Sequence, residues 1–476
     1  MTHRNLGAHL LIALAATACA QPKPDWPQPI IKGSLVVWGG EEAKAPAMEQ
    51  FVRLAGDGQI LVVSSTADTA RATWAEVEKA KVVSLLSASD IGRADSVWLD
   101  SFFLGNDEMI DGFEALKKRG GTVGLSAESF ATGRFSGLMP YVTASQDEDG
   151  TAEGPLQMTM DEGAVLVLRG RFMRGAGEGK TTFRLAAGAG KEATDLVLNN
   201  RSRLDLVSIR RRAIDRTMAA FPVKRTPDVK SGSLMIVGGG GMPGDMVERF
   251  IEMAGGPDAK IVYVPCTFAE EIAREPGFVR MLRSRGAKNV TWIHTKDRGK
   301  ADTDEEFLAP LKDAGGVWFG GGRQWNLVDS YIDTKAHELM WDVLARGGVI
   351  GGSSAGASIQ AEFLARGDPL GNTNIIAPGY LRGLGFLPGV AVDQHFTQRG
   401  RQKDMTELML AFPQVLGIGI DESTAIIVRR TVAEVLGTGA VHFYDYTVTP
   451  SGETDYVRLE SGKRYDLAAR QEIRAR

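Results

Sequence analysis

Ser354 is the first residue of this chain whose setting could do chemistry. It stands in Gly352-Ser353-Ser354-Ala355-Gly356, directly after the apolar run Gly348-Val349-Ile350. A serine between small residues at a strand end fits the G-x-S-x-G nucleophile elbow, in which a tight strand-to-helix turn lifts the hydroxyl out of the sheet. A helix beginning at Ala355 would aim backbone N–H groups and a positive dipole end at a developing oxyanion. A Gly/Ser-rich turn can also be purely structural, so the hydroxyl needs two partners. One is a base to take its proton, and the other is an acid to orient that base.

Candidates for the base are few, because the chain has six histidines in 476 residues. His3 and His9 fall in the N-terminal leader, and His294, His337, His395 and His442 lie in the C-terminal half. His337, in Thr334-Lys335-Ala336-His337-Glu338, reads as a solvated helix surface, and His294 and His442 lie in strand-like runs. His395 sits in Val392-Asp393-Gln394-His395-Phe396-Thr397-Gln398-Arg399-Gly400-Arg401, where an apolar strand ends in a dense polar group. In an α/β fold such a group marks a site more often than a plain surface. No His or Cys pair falls at metal-ligand spacing, and acyl transfer to a serine needs no cofactor, so none is expected.

The elements that must carry these residues repeat. Gly33-Ser34-Leu35-Val36-Val37-Trp38-Gly39-Gly40 recurs as Gly232-Ser233-Leu234-Met235-Ile236-Val237-Gly238-Gly239. In the same order Gln59 to Thr66 pairs with Lys260 to Thr267, Val97-Trp98-Leu99 with Val317-Trp318-Phe319, Gly120 to Val123 with Gly347 to Ile350, and Met160-Asp161-Glu162 with Ile420-Asp421-Glu422. Five segments in one order indicate two copies of one domain. Within each copy, β-branched runs ending in Gly or Ser alternate with helical stretches. That pattern predicts an α/β fold with a mainly parallel sheet and a site at the carboxyl ends of its strands.

The remaining chain is read by composition. A formal charge of −4, 43% apolar residues and dispersed Lys and Arg exclude a polyanion-binding class, so no nucleic-acid partner is expected. Residues 1–20 have the layout of a signal peptide, with Arg4 before the apolar run Leu10 to Ala16. Ala16-Thr17-Ala18-Cys19 resembles a lipobox that would make Cys19 a lipidated N-terminus, while Ala18-Cys19-Ala20 also fits simple cleavage before Gln21. The expectation is an exported protein, either lipid-anchored in the periplasm or outer membrane, or secreted. Residues 21–32 read as an extended tether. Residues 204–231 read as a connector, with Arg210-Arg211-Arg212 as a solvated helix face. Cys266 reads as a buried strand-end residue.

Three segments together resemble one family. Gly-Ser-Ser-Ala-Gly-Ala at 352–357, Asp-Gln-His-Phe with Arg-Gly-Arg at 393–401, and Gly-Ile-Gly-Ile-Asp-Glu-Ser-Thr-Ala at 417–425 are similar to the cyanophycinase-like serine peptidases of family S51. The likeness spans about residues 232 to 445 and includes Phe319-Gly320-Gly321-Gly322-Arg323-Gln324. It implies two tandem class I glutamine-amidotransferase-like, flavodoxin-like three-layer α/β domains. It further implies Ser354 as nucleophile, His395 as general base and Glu422 as the orienting acid. Backbone amides of Gly321, Gly322 and Ala355 would form the oxyanion hole, and Gln324, Asp393, Gln394, Arg399 and Arg401 would contact the substrate. The implied substrate is a peptide with an aspartyl or isoaspartyl linkage, cleaved through an acyl-enzyme. Departures occur at Arg323, where the family has an acid, and at Lys403 or Asp404, where it has an arginine.

The resemblance places the catalytic domain at residues 232–476 and leaves residues 33–203 as a degenerate, inactive copy. There Glu128 replaces the second elbow glycine of Gly124-Leu125-Ser126-Ala127-Glu128, and no histidine occurs between His9 and His294. Asp100-Ser101-Phe102 stands in place of Gly320-Gly321-Gly322. Two rival classes remain. Val237 to Gly244 holds a G-x-G-x-x-G pattern that could cradle a dinucleotide, although no acid follows the second strand. A non-catalytic exported binding protein would suit the first copy but does not explain Ser354, His395 and Glu422 in the second. The sequence leaves monomer and homodimer open.

Overall fold

A computed structural model describes residues 23–83, 87–139, 142–144, 155–450 and 452–474. The apolar leader and Cys19 lie outside the described residues.

The second copy is built on a nine-stranded sheet. Its order is Asn289–Trp292, Lys260–Cys266, Gly316–Gly322, Val349–Ser353, Val229–Val237, Thr424–Arg430, Val432–Gly437, Arg464–Asp466 and Gln471–Ile473. The first five strands run parallel, and Thr424–Arg430 joins Val229–Val237 antiparallel. The first copy repeats this order as Ala80–Val83, Ile60–Val63, Ser96–Leu99, Thr122–Ser126, Ser34–Trp38, Ala164–Arg169 and Phe172–Gly177, ending on Arg203–Asp205. Each copy also carries a smaller sheet, with Thr143–Ala144 parallel to Leu156–Met160 in the first and Leu387–Gln394 parallel to Leu416–Ile420 in the second.

Alternate residues of each central strand feed different cores, as expected of a strand buried on both faces. Leu234 and Ile236 belong to one core and Met235 and Val237 to another. Leu35 and Val37 are likewise separated from Val36 and Trp38. Helices therefore cover both faces of each sheet, giving the expected three layers.

One packing detail recurs in both copies. Trp98 pairs across the ladder with Gly124, and Trp318 with Gly351. A Cβ on Gly124 would stand 2.4 Å from the Trp98 ring, and one on Gly351 would stand 2.5 Å from Trp318. A phenylalanine meets each indole edge-on, Phe51 at 5.2 Å and Phe250 at 4.8 Å between centroids. The glycine is the hole into which the indole fits.

The seam between the copies corrects three expectations. From Lys23 onward the tether is extended but docked: Trp26 is buried, donates from Nε1 to Asp333 at 2.8 Å and carries the Arg211 guanidinium over its ring at 4.1 Å. Arg210-Arg211-Arg212 is not a solvated face. It lies in the Leu206–Asp215 helix, where Arg210 and Arg211 are buried and Arg211 Nε donates to the Gly379 carbonyl at 2.8 Å. The connector is a wedge between two globules, so the face that an isolated helix would turn to water meets the second copy instead. His337 is half-buried, with Nε2 donating to the Leu384 carbonyl at 2.8 Å. Cys266 is buried at the end of its strand, as expected. The seam also opens into a cleft of about 1310 Å³ between Trp26, Lys117, Arg210, Lys296 and Phe307. None of Ser354, His395 and Glu422 lines it.

Gly351→Ala and Gly124→Ala should each destabilise the protein by about 1–3 kcal/mol, because the added methyl overpacks an indole that cannot retreat. Thermal unfolding of both variants measures this, and wild-type stability in either would contradict the packing argument.

Candidate active site

The site forms where the central strand of the second copy ends. Three residues there hold left-handed backbone conformations without being glycine: Ser354 at φ +57°, His395 at +50° and Ser423 at +53°. Each donates its backbone N–H to a successive carbonyl of that strand end. Ser354 N reaches Val237 O at 3.0 Å, His395 N reaches Gly238 O at 2.7 Å and Ser423 N reaches Gly239 O at 2.9 Å. Positive φ costs about 1–3 kcal/mol per non-glycine residue and persists only where the surroundings over-determine it. Here one carbonyl ladder does so for all three.

Ser354 sits at the elbow between the Val349–Ser353 strand and the Ala355–Ser358 helix. The elbow is tight because a Cβ on Gly356 would lie 2.1 Å from the Phe319 carbonyl oxygen. Its hydroxyl donates to His395 Nε2 at 2.9 Å, and His395 Nδ1 donates to Glu422 Oε1 at 2.5 Å. The imidazole lies over Gly239, where a Cβ would come within 2.3 Å of Cε1, and a Cβ on Gly240 would stand 2.8 Å from that of Glu422. Gly239 and Gly240 thus make room for His395 and Glu422, and a dinucleotide role for this run falls away. Asp421 fastens the two loops together, accepting from Thr397 N at 3.0 Å, Thr397 Oγ1 at 2.7 Å and Ala440 N at 3.1 Å.

Burial pushes the His395 imidazole below the ordinary histidine range. The Glu422 carboxylate pushes it up, and the Arg399 and Arg401 guanidiniums add to the downward shift. The ring is therefore neutral at neutral pH and free to accept a proton.

Of the expected oxyanion groups, Gly321 lies beside the serine and Ala355 follows it directly. A Cβ on Gly321 would lie 3.5 Å from Ser354 Cβ and 4.0 Å from its Oγ, and Gly321 and Gly322 are exposed. Ala355 opens its helix, so its N–H has no acceptor within the turn.

The five expected substrate contacts divide. Arg399 is exposed beside the imidazole. The other four are buried. Asp393 has no exposed surface and lies between Arg366, at 3.0 Å from its Nε, and Arg401, at 2.9 Å from its Nη1. Gln394 accepts from the same Arg401 nitrogen at 3.2 Å, and Gln324 donates to the Ala365 carbonyl at 2.7 Å. Asp393, Gln394, Arg401 and Gln324 therefore build the floor under the site. Two arginines share one dry carboxylate, so removing Asp393 would leave Arg401 without its ion-pair partner. Arg366, at the centre of this floor, was missed by sequence reasoning, because its partners lie far along the chain. It also pairs with Asp404 at 2.5 Å, which accounts for an acid at a position where the resemblance implies arginine. Arg323 donates to the carbonyls of Asp368, at 2.6 Å, and Gly371, fastening a neighbouring loop.

The first copy lacks the elbow. Ser126 has ordinary extended backbone, φ −70° and ψ 154°, and its hydroxyl caps the Ala127–Ala131 helix by accepting from Ser129 N at 3.2 Å. Asp100 is absorbed into the packing, accepting from Trp98 Nε1 and Ser64 Oγ at 3.2 Å each.

An elbow serine hydrogen-bonded through histidine to a carboxylate, at the carboxyl end of a mainly parallel sheet, defines a serine hydrolase of the α/β class. Comparison with known proteins narrows this. The model of Peptidase family S51 matches residues 234–436. The cyanophycinase of Trichormus variabilis is 31% identical over 245 residues, covering 50% of this chain and 82% of that one. The cyanophycinase of Synechococcus elongatus is 33% identical over 233 residues, covering 47% and 72%. Among solved structures, a peptidase from an acI-B1 Actinobacterium aligns with TM-score 0.39 and 24% identity over 50% of this chain and 97% of that one. The chain belongs to peptidase family S51 and is a serine-type peptidase.

Because the imidazole must be neutral to act and its pKa is depressed, reaction of Ser354 with an uncharged fluorophosphonate should keep its rate down to a pH below the usual histidine value and fall beneath it. Arg399→Gln removes a positive neighbour, so the acid limb should move to higher pH. A limb that stays put or moves lower would refute this electrostatic account.

Proposed function

We propose that this protein is an exported serine peptidase that hydrolyses aspartyl or β-aspartyl peptide bonds, including β-Asp-Arg or isoaspartyl linkages, through an acyl-enzyme. The observation that carries the reading is the unbroken relay from Ser354 Oγ through His395 to Glu422 Oε1. His395 takes the serine proton as the hydroxyl attacks the amide carbonyl beside the aspartyl residue. Backbone amides at Gly321, Gly322 and Ala355 receive the oxyanion, and His395 returns the proton to the leaving amine. Water, activated by the same imidazole, then releases the acyl group. Glu422 holds the ring so that Nε2 faces the serine.

The substrate class is supported by relatives named cyanophycinase and by Arg399, whose exposed fork suits a substrate carboxylate. Export rests on the leader at residues 1–20, and Cys19 is the residue that would carry a lipid anchor. The first copy, residues 33–203, is read as inactive, since its serine has neither elbow nor base.

Incubating the purified protein with cyanophycin, a β-Asp-Arg dipeptide and a set of isoaspartyl dipeptides, with products identified by mass spectrometry, should show cleavage at the aspartyl linkage. Intact substrates throughout would reject the substrate class while leaving the relay standing. Ser354→Ala should lower turnover by at least about a thousandfold. Ser126→Ala should leave it within about twofold of wild type, since this hydroxyl caps a short helix and meets the Ser129 hydroxyl rather than a base. A comparable loss in both variants would overturn the division of labour between the copies.

A further inference from the structure

Arg171 occupies the tip of the hairpin joining Ala164–Arg169 to Phe172–Gly177 in the first copy, yet its side chain ends inside the second. It is 1% exposed. Its Nε and Nη2 hold the Asp205 carboxylate at 2.5 and 2.8 Å, its Nη1 donates to Asp329 Oδ2 at 2.7 Å, and Nη2 also reaches the Tyr380 hydroxyl at 2.6 Å. Tyr380 closes the ring by donating to Asp329 Oδ1 at 2.9 Å. The guanidinium also stacks over the Trp325 indole at 4.7 Å.

Asp329 and Trp325 both belong to the Trp325–Tyr331 helix, every residue of which is buried. That helix follows the Gly320-Gly321-Gly322 loop after two residues, and the junction is tied by Asn326 N and Nδ2, both donating to the Arg323 carbonyl at 3.0 Å. The glycine segment thus runs into the helix through one hydrogen-bonded turn. The cation nearest the Asp329 carboxylate is contributed by the first copy, with Arg211 of the connector next at 4.0 Å. A buried carboxylate deprived of its cation must either take up a proton or draw water into the seam, and in both cases the helix end shifts.

We infer that the first copy serves the reaction through Arg171, a positioning residue that fixes the Trp325–Tyr331 helix and so sets the glycine loop at its working distance from Ser354. This deepens the reading of Ser354 as nucleophile with Gly321 and Gly322 at its oxyanion, and rests on it. A copy that has lost its own serine chemistry thereby remains part of the working enzyme. Lysine cannot replace arginine here, because one ammonium cannot bridge two carboxylates and stack on an indole together.

The test uses the full chain carrying Arg171→Lys, which keeps the buried charge, and Tyr380→Phe, which removes one hydrogen bond and no charge. Three quantities are measured: turnover of the cleaved peptide, labelling of Ser354 by an uncharged fluorophosphonate, and amide hydrogen exchange across residues 316–331. In Arg171→Lys, kcat and labelling should fall roughly ten- to a hundredfold, as expected for displaced catalytic groups, with KM little changed. Exchange across 316–331 should quicken while the sheet of the first copy keeps its protection. Tyr380→Phe should move all three in the same direction by less. A folded Arg171→Lys protein with wild-type labelling and wild-type exchange would overturn the inference, and if Arg171→Lys does not fold, unchanged values in Tyr380→Phe do the same. An unlabelled wild-type protein would count against Ser354 as nucleophile, and the exchange measurement would still decide the role of Arg171.

Discussion

The carbonyl ladder at the end of the Val229–Val237 strand is the constraint on which the site depends. Val237, Gly238 and Gly239 offer three successive carbonyl oxygens, and the backbone amides of Ser354, His395 and Ser423 take them in turn. Because these amides come from three separate loops, one strand end sets the mutual distance of Ser354, His395 and the segment that carries Glu422. The left-handed backbone at each position is the geometric consequence, since the chain must turn sharply both to present an amide to the strand and to project a side chain away from it. Gly239 completes the arrangement by leaving open the space that the imidazole fills.

The two copies show how little must change for such a site to vanish. Strand order, cross-strand Trp–Gly packing and the small accessory sheet persist in both. In the second copy Gly356 allows the helix start to press against the Phe319 carbonyl. Glu128 cannot do so in the first, and Ser126 relaxes into an ordinary helix cap. A fold defined by burial on both sheet faces tolerates this loss, because the core residues are unaffected.

Two buried carboxylates are each held by two arginines or by an arginine shared with a second carboxylate. Asp393 lies between Arg366 and Arg401 under the site, and Arg171 lies between Asp205 and Asp329 at the seam. The seam cluster joins residues far apart in the chain, Arg171 and Asp329, and removing one partner from either cluster would leave an uncompensated buried charge.

Much of this was legible in the sequence, for definite physical reasons. Strand runs ending in glycine, repeated in one order, foretold a duplicated α/β fold, because parallel strands buried on both faces must be apolar throughout. The elbow and the scarcity of histidine pointed to Ser354 and His395, since local turn chemistry and residue type are written in consecutive positions, whereas Glu422 came only with the family resemblance. What the tertiary structure alone decided is where long polar side chains end. The burial of Asp393, Arg401 and Gln324, and of Arg210 and Arg211, which read as a wet face, depends on partners such as Arg366, Gly379 and Trp26, which no local pattern couples to them. A sequence records which residues can ionise or hydrogen-bond, whereas only the packed chain determines whether water or another side chain meets them.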